Sequence, residues 1–369
     1  MTLKEKIGQL LIAGFEGTTP PKGLLSLIKS YQLGGVILFK RNLVSPPQIA
    51  KLCDSLQKAS PHVPLFISID HEGGRVNRLP KPFTVLPSQA VIGACNSSEL
   101  SYAIGEIMAN ELKTVGINFN FAPVLDVHTN PAKQVIGDRA FGKSAGLVST
   151  MGLAIIASLQ DNGVLACAKH FPGHGDTATD SHEELPVVNR TLDQLREVEL
   201  RPFQHAMMNG LRALMTAHVK YPALDETYPA TLSRKIITKL LRSSMRFDGL
   251  VLTDDLEMKA ITQEYGLEDA AIKALLAGAD LLLVCHREDQ QVAILEAILK
   301  AVKKGLLSEK QLDTSLLRIL SFKQRYMSLP KPVDLKQIKE VVGCSRHRQK
   351  VQEILVKADQ TVGETAVQA

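Results

Sequence analysis

Residues 280–285 read Asp-Leu-Leu-Leu-Val-Cys, and residues 34–39 read Gly-Gly-Val-Ile-Leu-Phe. A strand with one face in water alternates apolar with polar residues, and neither run does so. Continuous apolar runs of this length are typical of strands that a parallel sheet buries on both faces. The two runs therefore predict an α/β protein.

Further runs of the same kind recur along the chain, separated by segments of helical period such as Glu99–Val115. The predicted strands are Leu10–Phe15, Gly35–Phe39, Leu65–Asp70, Ile117–Pro123, Val164–His170, Ala213–Val219, Leu250–Asp254 and Asp280–Cys285. Strands that alternate with helices indicate right-handed βαβ units. Eight such units predict a closed (β/α)8 TIM-type barrel. A doubly wound open sheet is the alternative, although no Gly-x-Gly-x-x-Gly motif follows an early strand.

The strand–helix pattern stops after about residue 305, where the chain becomes Lys-rich and helical and then passes Pro330-Lys331-Pro332. No strand-like run follows that point. We therefore expect one barrel domain over residues 1–329 and a helical C-terminal tail over residues 330–369.

The composition excludes several classes of protein. A chain with 45% hydrophobic and 22% charged residues is globular rather than disordered or fibrous. The net charge of +5 is dispersed, which argues against a nucleic-acid partner. No apolar run reaches the roughly 18 residues of a membrane helix, and the apolar stretch within Met1–Phe15 is too short for a signal peptide. The five cysteines are widely spaced and form no CxxC pair, so we expect a cytoplasmic protein.

Polar residues follow the predicted strands at the end where a barrel forms its active site. They are Asp70-His71-Glu72, Asp126, Lys169-His170, His218 and Asp254-Asp255. Each has a structural interpretation when taken alone: Asp254 could cap a helix, and His218 could be a hydrogen-bonded core histidine. Charges directly after buried strands are costly unless they are paired or used. The presence of such polar residues at several strand ends favours a functional site.

The densest motif is Lys169-His170-Phe171-Pro172-Gly173-His174-Gly175, followed by Asp180-Ser181-His182. In an extended segment Asp180 and His182 point the same way. A carboxylate beside an imidazole stabilises its protonated form, as acid/base catalysis requires. The alternative is a metal site formed by His170, His174 and His182, although their spacing matches no common zinc motif.

Two other segments carry candidate groups. Residues 70–78 read Asp-His-Glu-Gly-Gly-Arg-Val-Asn-Arg, a mixture of acidic and basic groups that suits a polyhydroxylated ligand. Residues 253–258 read Thr-Asp-Asp-Leu-Glu-Met, where a buried strand delivers Asp254 as a candidate carboxylate nucleophile. The short segment Ile136–Phe141, which contains Arg139, cannot be interpreted by itself.

Together, these motifs resemble those of the family 3 glycoside hydrolases that are β-N-acetylglucosaminidases, and among them the single-domain bacterial enzymes of peptidoglycan recycling. The resemblance covers roughly residues 10 to 305. It implies that Asp254 is the nucleophile and that His182, held by Asp180, is the acid/base. The substrate contacts that it implies are Asp70, Arg78, Arg139, Lys169 and His170. No cofactor and no metal are expected.

The resemblance further implies a retaining exo-β-N-acetylglucosaminidase with a single catalytic domain. It would remove terminal GlcNAc from cell-wall fragments that bear anhydro-MurNAc, as a cytoplasmic monomer with a small-molecule substrate and no membrane partner. Because the chain has no Trp, we expect a small pocket for one sugar rather than a long cleft. The alternatives are a β-N-acetylglucosaminide phosphorylase, a metal-dependent amidohydrolase and a non-catalytic muropeptide-binding protein.

Overall fold

A computed structural model describes residues 1–129, 135–177, 184–327 and 333–367, with side chains as far as residue 361. Eight parallel strands form a closed barrel in sequence order, with β8 pairing β1. The strands are β1 Leu11–Ala13, β2 Gly35–Leu38, β3 Phe66–Ile69, β4 Phe119–Asn120, β5 Leu165–Phe171, β6 Ala213–Thr216, β7 Leu250–Asp255 and β8 Leu281–Val284. Each overlaps its predicted run. The (β/α)8 barrel is therefore confirmed, and the open-sheet alternative is wrong.

Helices occupy the connections between the strands and the region after β8. The α-helices are α1 Leu3–Gly8, α2 Lys22–Tyr31, α3 Pro46–Ala59, α4 Gln89–Ala94, α5 Ser98–Thr114, α6 Ala145–Asp161, α7 Leu192–Glu197, α8 Leu200–Met208, α9 Lys259–Tyr265, α10 Leu267–Ala277, α11 Glu288–Lys303, α12 Glu309–Tyr326, α13 Leu335–Val341 and α14 Ser345–Val367. Single 3₁₀ turns span Lys40–Asn42, Gly137–Arg139 and Ala230–Leu232, and a π-helix spans Lys235–Ser244. No helix in the described ranges is both long and apolar enough to cross a membrane.

Local sequence signals set the ends of these helices. The Ser97 hydroxyl accepts a hydrogen bond from the Leu100 N–H and so caps α5. At α7, Thr191 and Gln194 form a reciprocal capping box. Side chains therefore satisfy N–H groups that a helix leaves without intrahelical partners.

The strands are buried as completely as their apolar sequences predict. Every strand residue is buried except Asp254, which is partly exposed near the C-terminal end of β7. A parallel barrel covers both faces of each strand, so a partly exposed strand residue must lie at an open end. This end of the barrel is the one that carries the predicted polar residues.

The helix α12 packs against the opposite end of the barrel. Lys323 in this helix is buried, and its Nζ donates to Gln9 Oε1 at 2.9 Å and to the Gly34 carbonyl at 2.7 Å. The same Nζ lies 4.8 Å from the centroid of the Phe66 ring. Burial lowers the pKa of Lys323 well below its usual value. These bonds tie α12 to the segments that precede β1 and β2.

The described part of the predicted tail forms α13 and α14, and a buried carboxylate on α5 ties these helices to the barrel. Glu111 accepts hydrogen bonds from Thr84, from the Gly343 N–H at 2.8 Å and from His347 Nδ1 at 2.8 Å. Burial opposes ionisation of Glu111, but these bonds hold its pKa below the usual range. The helical tail is confirmed, whereas the domain boundary at residues 329/330 remains a prediction.

We predict that Glu111→Gln lowers the free energy of unfolding by about 1–3 kcal/mol, because an amide cannot accept all the bonds that the carboxylate accepts. Chemical denaturation at neutral pH measures this change. Glu340→Gln on α13 is the control, since Glu340 is mostly exposed and lies 3.9 Å from Lys336. A loss for Glu111→Gln no larger than that of the control would show that Glu111 does not hold the tail.

Candidate active site

Asp254 lies at the centre of the candidate site, where the pairing of β7 with β8 shifts register between Leu252 and Asp255. Its Oδ1 accepts a hydrogen bond of 2.8 Å from the Asp255 N–H. Burial alone would raise the pKa of Asp254, but His218, His170 and this N–H together hold it below the usual range. Asp254 is therefore a carboxylate at neutral pH, and it is the strand residue that reaches the barrel mouth.

His218 supports the backbone beside Asp254. Its Nε2 donates to the Asp255 carbonyl at 2.9 Å, and its Nδ1 lies 2.8 Å from Thr231 Oγ1. The ring is fully buried, and burial lowers its pKa. The structure thus agrees with the structural interpretation of His218 as a hydrogen-bonded core histidine.

A buried group of four charges lies at the same end of the barrel. We call it the Glu72 network; its members are Asp70, Glu72, Arg139 and Lys169. Lys169 Nζ lies 2.5 Å from Asp70 Oδ1 and 2.7 Å from Glu72 Oε1. Arg139 makes two hydrogen bonds of 2.8 Å to the Glu72 carboxylate through Nε and Nη2. Two cations therefore balance two carboxylates, and no charge is left buried without a partner.

The pKa values in the network shift as this pairing requires. Burial opposes ionisation of Glu72, but Arg139 and Lys169 hold its pKa far below the usual range. Burial likewise opposes the charge on Lys169, and Asp70 and Glu72 raise its pKa above the usual value. Glu72, Lys169 and Arg139 are therefore charged at neutral pH, and the network offers fixed donors and acceptors to a polar ligand.

Asp126 fixes His170 beside this network. Its Oδ2 accepts from His170 Nδ1 at 2.7 Å, and its Oδ1 accepts from the backbone N–H of His174 at 2.7 Å. His170 Nε2 then faces Arg139 Nη2 at 3.5 Å. The sequence marked Asp126 as a strand-end residue without assigning it a role. In the structure it orients His170 and the start of the following segment.

The two glycines of the Lys169–Gly175 motif are required by close packing. Gly173 has φ +136°, and a Cβ there would lie 2.7 Å from Glu199 Cβ. A Cβ on Gly175 would lie 2.0 Å from the Val127 carbonyl oxygen. The segment after β5 therefore packs directly on neighbouring backbone, and larger residues would displace it.

The structure brings most of the predicted site residues together. Asp70, Arg139, Lys169 and His170 are joined by the contacts above, and Lys169 and His170 act electrostatically on Asp254. Arg78 follows on the loop from Glu72, and its buried Nε has no hydrogen-bond partner in the part of the chain that the structure describes. The predicted acid/base pair, Asp180 and His182, lies outside the described residues, as do the contacts of that pair.

Sequence reasoning missed the polar side chains that clamp the site's backbone. Gln89 on α4 bonds both the N–H and the carbonyl of Val124, and donates to the Arg139 carbonyl at 2.6 Å. Asn120 in β4 similarly bonds the N–H and the carbonyl of His71. Their partners are backbone groups distant in sequence, so no local pattern marks either residue.

The arrangement of Asp254 and the Glu72 network suits a polyhydroxylated ligand. In the ranges that the structure describes, no group of three or more His, Cys, Asp or Glu residues is placed to hold a metal ion. His182, the third member of the alternative metal set, is outside those ranges. A carboxylate opposite fixed cationic donors can instead orient hydroxyl groups and attack an electrophilic carbon.

Comparisons with known proteins agree with this geometry. The family model described as "Glycosyl hydrolase family 3 N terminal domain" matches residues 2–322. The chain is similar to a β-hexosaminidase from Thiobacillus denitrificans, with 43% identity over 263 residues that cover 70% of this chain and 72% of that protein.

Two solved structures resemble the fold closely. One is a glycoside hydrolase family 3 β-N-acetylglucosaminidase from Paenibacillus sp. str. FPU-7, with 44% identity and a TM-score of 0.92 over 97% of this chain and 69% of that chain. The other is NagZ from Neisseria gonorrhoeae in complex with N-trifluoroacetyl-D-glucosamine. It shows 29% identity and a TM-score of 0.77 over 95% of this chain and 98% of that chain.

We predict that Glu72→Gln destabilises the fold by about 3–5 kcal/mol at neutral pH, because it leaves two buried cations facing one carboxylate. The folded pKa of Glu72 is lowered, so its contribution is complete above the ordinary value of 4.5 and is lost as pH falls through the folded value. The difference between wild type and variant should therefore shrink below about pH 4.5. Denaturant unfolding at several pH values measures it.

The control is Glu16→Gln at the same end of the barrel, where Glu16 is 73% exposed and pairs with Arg41. Such a surface pair contributes about 0–1 kcal/mol. A Glu72→Gln penalty as small as that of the control, or one that does not change with pH, would contradict the role of the network.

Proposed function

Because this chain belongs to glycosyl hydrolase family 3 and is a glycoside hydrolase of the β-hexosaminidase type, we propose that it removes single GlcNAc residues from the non-reducing ends of muropeptide fragments. The reaction retains the β configuration and passes through a glycosyl-enzyme on Asp254. The observation that carries this proposal is the partial exposure of Asp254 among strand residues that are otherwise buried. Its carboxylate stays ionised beside a fixed group of sugar-binding charges.

In the proposed first step, an Asp254 oxygen attacks the anomeric carbon while the glycosidic bond breaks. Protonated His182 gives its proton to the leaving oxygen. In the second step, neutral His182 takes a proton from water, the water oxygen attacks the anomeric carbon, and the bond to Asp254 breaks. A retaining enzyme needs its two groups close together, about 5–5.5 Å apart when both are carboxyls. Asp180 stabilises the imidazolium that exists between turnovers.

The Glu72 network supplies the proposed binding site for the sugar. Lys169 and Arg139 are oriented by Glu72 before substrate arrives, so little reorganisation accompanies binding. Lys169 joins Asp70 to Glu72, and Arg139 joins Glu72 to His170. In the proposal these groups offer partners to hydroxyl and acetamido groups. The similar NagZ structure holds an N-acylated glucosamine, which supports an amino sugar as the ligand.

The aglycone, the compartment and the oligomeric state are proposals that rest on the sequence resemblance. We assign the aglycone to anhydro-MurNAc peptides and place the protein in the cytoplasm as a monomer. All five cysteines are free and four are buried, which suits a reducing compartment. Comparison of kcat/KM for GlcNAc-anhydro-MurNAc and for chitobiose tests the aglycone: a preference for chitobiose would contradict it.

The activity test is hydrolysis of a chromogenic β-GlcNAc glycoside by wild type and variants. We expect Asp254→Asn to lower kcat by roughly 10⁴-fold or more, because a nucleophile is lost. His182→Ala should lower it by roughly 10²–10⁴-fold, the usual contribution of general acid–base catalysis. Asp248→Asn is the matched control, since Asp248 is exposed just before the opposite end of β7 and should leave activity unchanged.

Added phosphate and EDTA separate the alternatives. We expect neither to change the rate. Formation of GlcNAc-1-phosphate would instead identify a phosphorylase, and inhibition by EDTA would indicate metal-dependent chemistry. If folded wild type bound muropeptides without turning them over, the catalytic proposal would be wrong.

A further inference from the structure

A second charged group lies beside the active site, outside the Glu72 network. We call it the Arg190 cluster; its members are Arg190, Asp176, Glu199 and Thr129. Arg190 comes just before α7, and Glu199 lies at the start of α8. Asp176 belongs to the segment after β5, and Thr129 to the loop after β4. The cluster therefore joins three stretches of the connection between β5 and β6 to the loop after β4.

Arg190 is the centre of this cluster. Its Nε donates to Asp176 Oδ2 at 3.0 Å, and its Nη2 donates to Thr129 Oγ1 at 2.9 Å. Its side chain is 19% exposed and that of Asp176 is 18% exposed. The ion pair is therefore largely shielded from water, where it holds its position better than a surface pair does, and the bond to Thr129 fixes the guanidinium at a second point.

Glu199 places a second carboxyl group against the same guanidinium. Its Oε1 lies 3.2 Å from Arg190 Nε, but among the described residues neither carboxylate oxygen has a hydrogen-bond partner. The side chain is 1% exposed and is in contact with the position of Gly173. Burial raises the pKa of Glu199 to about 7, and Arg190 opposes this shift. Burying a carboxyl without hydrogen bonds costs free energy. We therefore ask what the contact between Glu199 and Arg190 does.

The segment that Asp176 belongs to is already held at its other end. The Tyr221 hydroxyl donates to the Gly173 carbonyl at 2.6 Å, and the His174 N–H donates to Asp126. Asp176 is the last charged residue described before the predicted Asp180 and His182. Its bond to Arg190 thus fixes the described end of the chain that leads into the acid/base pair.

The chain that carries Arg190 is itself anchored to the barrel. The Val188 N–H donates to the Lys220 carbonyl at 2.9 Å, and the Lys220 N–H donates to the Pro186 carbonyl at 2.9 Å. These bonds tie residues 186–188 to the segment after β6. Arg190 follows this anchored stretch by two residues, so the backbone that carries its side chain is held in place.

We propose that Arg190 is a positioning residue for general acid–base catalysis: through Asp176 it holds residues 173–177, with the buried Glu199 carboxyl packed against its guanidinium. This inference rests on the proposed function, because it assigns the acid/base to the chain that follows residue 177. A displaced proton donor affects most those substrates whose leaving groups need a proton. Displacements near 1 Å can cost about 10²-fold in rate.

The test compares wild type, Arg190→Met and Arg190→Lys on two substrates. A 2,4-dinitrophenyl β-GlcNAc glycoside releases a leaving group that needs no proton, whereas chitobiose needs one. We expect Arg190→Met to lose kcat/KM on chitobiose by about 10-fold or more beyond its loss on the dinitrophenyl glycoside. Arg190→Lys should recover part of this difference, since an ammonium keeps the charge but not the fixed fork.

Amide hydrogen exchange of residues 173–177 gives a second readout that needs no activity. Exchange should be faster in Arg190→Met than in wild type. Arg196→Met on α7 is the matched control: Arg196 is 63% exposed and pairs with Asp193 at 3.3 Å, so neither readout should change.

Two results would overturn the proposal. Equal losses of Arg190→Met on both substrates would show a structural role alone, and unchanged exchange at residues 173–177 would show that Arg190 does not hold the segment. If wild type cleaved neither glycoside, the proposed function would fail, and hydrogen exchange would still decide whether Arg190 holds these residues.

Discussion

The pairing of Glu72 with Lys169 and Arg139 is the constraint on which the site depends. The three charged side chains are largely shielded from solvent. Burying any one of these charges without its partners would cost free energy. They come from the loop after β3, from β5 and from the 3₁₀ turn Gly137–Arg139. The closed barrel brings these elements together at one end, and the charges in turn fix the loops that cover that end.

This constraint also bears on the proposed role of Asp254 as nucleophile. The cations of the Glu72 network are already paired, so they orient a ligand without binding the Asp254 carboxylate directly. Asp254 is held by the backbone of Asp255, which His218 supports from behind. The carboxylate is therefore kept ionised by its surroundings, and within the described residues its second oxygen accepts no hydrogen bond.

The strands could be predicted from sequence because burial on both faces leaves a local signature, a continuous apolar run, as in Leu281–Val284. The strand-end charges could be predicted because Lys169 and Asp254 lie at the ends of such runs. Gln89, Asn120 and Arg190 could not be predicted, since each acts on groups at least 14 residues away. Arg190 lies in an ordinary polar stretch before a helix. For Asp180 and His182, the sequence motif remains the basis of their assignment.

Labelling with 5-fluoro-β-GlcNAc fluoride tests the central claim, that Asp254 attacks the sugar held by the network. This reagent forms a glycosyl-enzyme that hydrolyses slowly, and peptide mass spectrometry locates the attached sugar. The account predicts one sugar per chain, on Asp254 within β7. Attachment to another carboxylate, such as Asp255, or turnover of substrate by an enzyme that never becomes labelled, would contradict it.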